Sequence, residues 1–127
     1  MDIDLLTGEQ DQSLRFESIA ITGEGWFECR VLAQSHGLAA EVPFSFDRAN
    51  VEAFSQQLKA MAREGTGLAV LGYAERSGTL TFSFDPDGDL LVMGDLHVSP
   101  DDAVRFRFIA DGECMDAFAR QFAAFLP

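Results

Sequence analysis

The chain has 127 residues, a formal net charge of −12 and a hydrophobic fraction of 47%. That length suits a single domain over residues 1–127, and that apolar content excludes a disordered chain. The carboxylate excess disfavours nucleic acid and anionic membrane as partners, and it suits either a basic protein surface or simple solubility.

The opening Met1-Asp2-Ile3-Asp4 lacks the basic flank and apolar run of a secretory signal, and no apolar stretch approaches membrane-spanning length. A cytoplasmic protein with reduced thiols is the expectation. Leu14 to Ile21 reads as the first strand, with an alternation that slips at Ser18, where a bulge is expected. Thr22 to Gly25 is a turn, Trp26 to Leu32 a second strand, and Gln34 to Gly37 another turn. Leu38, Ala40, Val42, Phe44 and Phe46 share one face of a third strand.

Asp47 is a helix cap, because its carboxylate can accept from the free N–H groups of the first turn. The helix it opens carries Val51, Phe54, Leu58 and Met61 on one face and stops near Gly65. Strands follow at Leu68–Tyr73 and Thr79–Phe84. A hairpin turn over Asp85-Pro86-Asp87-Gly88-Asp89 leads to a strand carrying Leu90, Val92, Leu96 and Val98. Ser99 to Asp102 turns the chain into a last strand, Ala103–Ile109, and Asp111-Gly112 opens a C-terminal helix. The order is β-β-β-α-β-β-β-β-α. Short hairpin connections and one-sided alternation predict an α+β fold: a mainly antiparallel sheet of about six to seven strands, with two helices packed on one face.

One unit occurs twice. Phe44-Ser45-Phe46-Asp47 precedes Val51, Phe54, Leu58 and Met61, and Phe106-Arg107-Phe108 with Asp111 precedes Met115, Phe118, Phe122 and Phe125. A strand that runs into an amphipathic helix is scaffold, and its repetition favours a binding module over an enzyme.

Charge is unevenly placed. Residues 1–29 hold seven acids against Arg15 alone, and residues 85–102 hold six acids and no base. Motifs for catalysis are missing: there is no Gly-rich phosphate loop and no Gly-x-Ser-x-Gly elbow. The Asp85–Asp89 run has its glycine too early for a calcium loop, and Leu96 stands at the twelfth position. His36 and His97 belong to no metal-ligand spacing, and Cys29 and Cys114 are far apart. Cys114 falls in the first turn of the last helix, where the dipole lowers a thiol pKa, or it is a core-facing, inert thiol just ahead of Met115. No catalytic residue, metal or cofactor is expected. Trp26 and Tyr73, single aromatics with polar handles, are the residue types favoured as interface hot spots.

Several segments together resemble the WapI-type immunity proteins, bacterial antitoxins of polymorphic toxin systems. These are the Phe-x-Phe strand and Asp-capped helix (Phe44 to Leu58), the Gly-Thr-Leu-Thr-Phe-Ser-Phe strand (Gly78 to Phe84) and Gly94-Asp95. The final Phe-x-Phe strand (Phe106 to Phe108) and the helix after Asp111 complete the series. The resemblance covers about residues 14–126. Where that family tends to have Asp-Gln-Thr before the last helix, this chain has Asp111-Gly112-Glu113. The resemblance implies a cytosolic protein that neutralises a secreted, commonly basic toxin domain by occlusion, and it carries over no catalytic residues. On that reading Asp85, Asp87, Asp89, Asp101, Asp102, Trp26 and Tyr73 meet the partner. The chain would act as a monomer or dimer. Two other classes remain open: a small-ligand or enzymatic domain with a pocket between sheet and helices, and a subunit that dimerises through a sheet edge.

Overall fold

The computed structural model describes residues 2–6, 12–22 and 25–125. Four strands and a helix occur twice in succession. The first half is β1 (Ile3–Leu6), β2 (Gln12–Ile21), β3 (Trp26–Ser35), β4 (Leu38–Asp47) and α1 (Arg48–Glu64). The second is β5 (Leu68–Tyr73), β6 (Gly78–Phe84), β7 (Leu90–Ser99), β8 (Asp102–Ala110) and α2 (Cys114–Phe125). Each half forms its own antiparallel sheet, in the order β1-β2-β3-β4 and β5-β6-β7-β8.

The α+β class therefore stands, while the single sheet of six or seven strands is replaced by two sheets of four. Two physical reasons account for this. First, α1 separates β4 from β5, so no hairpin ties these strands into one ladder. Pro43, on the edge strand β4, also has no N–H to offer a further strand. Second, the edges of β1 and β5 are met by helix side chains. On α2, the Gln121 side chain accepts from Asp4 N at 2.9 Å and donates to Asp4 O at 2.7 Å. On α1, Gln57 accepts from Val70 N at 3.1 Å and Asn50 accepts from Gly72 N at 2.8 Å. Each helix thus closes the first strand of the other half, instead of lying on one face of a common sheet. The repetition seen in the sequence is the repetition of this four-strand-plus-helix unit.

β1 is the element that sequence periodicity missed. Ile3 and Leu5 are fully buried, but two alternating apolar residues are too short a signal. The strand exists because it pairs with β2, Ile3 opposite Phe16, and because Gln121 holds its free edge.

Local expectations hold in detail. Asp47 Oδ1 accepts from Asn50 N at 2.8 Å, and α1 ends at a left-handed Gly65 whose N–H reaches Met61 O. The β2–β3 register shifts between Glu17 and Ala20, and the bulged Ser18, at φ 59°, donates its N–H to Asp2 Oδ1. Of the turn expected at Thr22–Gly25, Gly23 and Glu24 lie outside the described residues.

The core is aromatic and common to both halves. Phe54 of α1 meets Phe82 of β6 at 5.5 Å and Phe122 of α2 at 5.1 Å between ring centroids. Phe118 of α2 meets Phe82 at 5.2 Å, and Phe16 of β2 meets Phe122 at 5.4 Å. All five rings are fully buried. Edge-on and tilted ring pairs contribute beyond their buried area. Both helix stripes point into this core, apart from Phe125, which is half-buried and packs edge-on against Phe27 at 5.1 Å. Leu38 and Val98, though in phase with their strands' apolar faces, lie beyond the core and are 77% and 53% exposed.

Candidate functional site

The seven residues singled out from the sequence fall into two groups. Asp85, Asp87 and Asp89 lie in the β6–β7 turn, Asp101 lies in the β7–β8 turn and Asp102 opens β8. Ten residues of β7 lie between them, about 30 Å of extended chain. The acidic run read as one segment is split between opposite ends of the molecule.

At the first end, Asp85 builds the turn. Its Oδ1 accepts from Asp87 N at 2.9 Å and Asp89 N at 3.0 Å, while the Asp85 N–H reaches Asp89 O. The turn packs against the β8–α2 connection at Gly112, where a Cβ would lie 2.5 Å from Gly88 O and 3.1 Å from a Phe84 ring carbon. Only glycine permits this approach. Its consequence is electrostatic: Asp111, Glu113 and Asp116 join Asp85, Asp87 and Asp89 at one site. Phe84, Gly88, Asp111, Gly112, Glu113 and Asp116 line an open concavity of about 400 Å³, with Met61 and Met115 beneath. Arg120 counters this group only through its pair with Asp116 at 3.4 Å, with both side chains exposed. Asp111 Oδ1 also accepts from Glu113 N, so the β8–α2 connection has a built shape as well.

At the other end, Trp26 and Tyr73 come together. Trp26 stands opposite Asp47 in the β3–β4 register, and the Tyr73 ring meets the indole edge-on at 6.0 Å. Tyr73 OH donates to Asp47 Oδ1 at 2.8 Å. That bond, some burial, and the Asp47 and Glu75 charges hold the phenol above its ordinary pKa. The Arg76 guanidinium lies over the indole, 4.0 Å from the ring centroid. The β5–β6 turn that carries Arg76 bonds to β7 through His97 N and Ser77 O at 3.0 Å, so the Asp101–Asp102 turn belongs to this end. Arg76 had no sequence signal. Its role appears only when a turn distant in sequence folds over Trp26.

Asp2, Asp4 and Glu17 make a third grouping. Arg15 lies 2.9 Å from Asp2, 3.5 Å from Asp4 and 3.7 Å from Glu17. Bonds to Ser18 N–H and to Arg15 hold the Asp2 carboxyl below its ordinary pKa. Glu9, Asp11 and Glu24 lie outside the described residues.

The remaining candidates are separated from one another. His36 occupies the two-residue turn after β3, with Nε2 3.3 Å from Gln12 Nε2, and His97 lies 3.9 Å from Asp95. Among the described residues no group of three or more His, Cys, Asp or Glu side chains is placed to hold a metal ion. No helix among them is long and apolar enough to cross a membrane.

Burial raises the Cys29 thiol to about 12 and, despite the helix start, the Cys114 thiol to about 11. Desolvation is the main cause at both thiols, and the Asp111 charge adds to it at Cys114. Folding favours the protonated Cys29 thiol, so its contribution is complete below the ordinary value of 9.0 and is lost as pH rises toward about 12. Stability measured by urea titration should therefore fall above pH 9. The fall should be shallower in Cys29→Ala, and equal slopes would show that Cys29 is not the group responsible.

No family model matches this chain, and no curated protein does. Among solved structures, a chain from the Trypanosoma brucei MRP1/MRP2 crystal structures is similar, with 14% sequence identity and a TM-score of 0.58. The match covers 99% of this chain and 82% of that one. At that identity the likeness is one of fold.

Proposed function

We propose that this chain is an immunity-type binding module, similar to the WapI-type antitoxins, that neutralises a basic toxin domain in the cytoplasm by covering it and performs no catalysis. The observation that carries this reading is the contact of Gly112 with Gly88, which sets the Asp85, Asp87 and Asp89 turn beside Asp111, Glu113 and Asp116, the last three lining an open concavity. That turn is held by its own hydrogen bonds, so the charges are presented in fixed positions. Such a field speeds encounter with a Lys- and Arg-rich surface, and it reaches about 8 Å at physiological salt.

The test is the triple variant Asp85→Asn, Asp87→Asn, Asp89→Asn, measured for association with a cognate toxin domain at low and high salt. Folding should be nearly unchanged, within about 0.5 kcal/mol, because Asp87 is exposed, the half-buried Asp85 and Asp89 are in no ion pair among the described residues, and an amide oxygen at position 85 can still accept the two turn N–H groups. The association rate should fall roughly tenfold and its salt dependence should flatten. A rate and salt slope equal to those of the unaltered protein would make this acidic group a solubility feature only.

A further inference from the structure

We propose that Trp26, braced by Tyr73 and Asp47, is a recognition site for a partner's guanidinium group, and that Arg76 of the same chain covers the indole while the protein is free. The inference rests on the reading that the partner is basic, and it adds a site at the opposite end of α1, about 25 Å from the acidic concavity.

The protein itself displays the ligand chemistry. The Arg76 guanidinium stands 4.0 Å from the Trp26 ring centroid, well inside the range in which an aromatic face attracts a cation. Arg76 is exposed, and among the described residues no carboxylate lies within ion-pairing distance of it. The indole is therefore its main partner, and the turn that carries it can release it at small cost.

The receiving groups are held independently of Arg76. The Trp26 carbonyl accepts from Thr22 N at 2.8 Å and from Thr22 Oγ1 at 3.2 Å. The Tyr73 ring braces the indole edge-on, and its hydroxyl is fixed to Asp47, which is itself fixed to Asn50 N at the start of α1. A platform whose side chains are already ordered loses little entropy when a ligand arrives. Asp47 and Glu75 also place negative charge around Tyr73, which suits a cation and disfavours an anion. An incoming arginine would exchange with Arg76 at the ring face. Its stem and neighbouring residues would then supply new contacts along β3 and the β5–β6 turn.

Trp26 is the only tryptophan in the chain, so its fluorescence reports this site alone. The probes are a blocked arginine tripeptide and a blocked lysine tripeptide at constant ionic strength. They are titrated into the unaltered protein, Arg76→Ala and Asp47→Asn. The arginine peptide should give a saturable change. Half-saturation should fall about two- to fivefold in Arg76→Ala, where the internal competitor is gone. It should rise in Asp47→Asn, which keeps a capping oxygen but loses the charge. Circular dichroism of each variant checks folding. Equal half-saturation in the unaltered protein and Arg76→Ala overturns the inference. An equal response to the lysine peptide also overturns it, because the site would then report only the general acidic field. The triple Asp→Asn variant separates the two claims. If it slows toxin association while Arg76→Ala has no effect on peptide binding, the basic-partner reading survives and this site does not.

Discussion

Phe118→Ala should destabilise the protein by about 3–5 kcal/mol, the sum of lost transfer free energy and the cavity left behind. Phe118 is fully buried and touches three other buried rings: Phe16 of the first sheet at 6.2 Å, Phe82 of the second at 5.2 Å, and Phe122 on its own helix at 5.2 Å. Truncation therefore loosens α2 from both sheets at once. The surrounding strands are hydrogen-bonded into two ladders and cannot collapse far into the void. Urea denaturation of the purified variant measures the loss through a lower midpoint at a similar slope. A change under about 1 kcal/mol would show that α2 is not anchored at this junction.

Gly78→Ala should cost roughly 3 kcal/mol or more, through a different mechanism. Gly78 has φ +100°, a region that side chains rarely adopt. It also lies opposite Leu96 in the β6–β7 ladder, where a Cβ would overlap the Asp95 carbonyl oxygen and fall 2.9 Å from Leu96 Cα. Both contacts are to backbone, so no rotamer change relieves them. Gly37→Ala separates the two contributions, since Gly37 has φ +85° in the β3–β4 turn with nothing within 4 Å of a Cβ. That control should lose only the backbone part, about 1–2 kcal/mol. Equal losses at the two positions, read from the same urea titrations, would show that close packing at Gly78 contributes nothing.

Much of the fold was legible because it is local. The Val51/Phe54/Leu58/Met61 stripe, the Asp47 cap, the Asp85–Asp89 turn and the bulge at Ser18 each depend on residues a few positions apart. Period, capping and turn chemistry report such relations directly. The repeated strand-helix unit was visible for the same reason. Alternation also showed which face of each strand is buried, but it is silent on which strand lies beside which.

Tertiary structure decided the rest. The division into two sheets depends on how α1 and α2 cross over, each closing the other half's first strand through Gln57, Asn50 and Gln121. β1 exists only in that context. The acidic residues followed the same rule. Asp85, Asp87 and Asp89 share a segment with Asp101 and Asp102, yet β7 carries the two groups apart, while the contact of Gly112 with Gly88 brings in Asp111, Glu113 and Asp116. Trp26 met Tyr73 and Arg76 across nearly fifty residues. Sequence alone determined the local elements and their buried faces, because those follow from backbone periodicity. The two clusters proposed to meet a partner arise from strand pairing and helix crossing, whose contacts join residues that no periodicity relates.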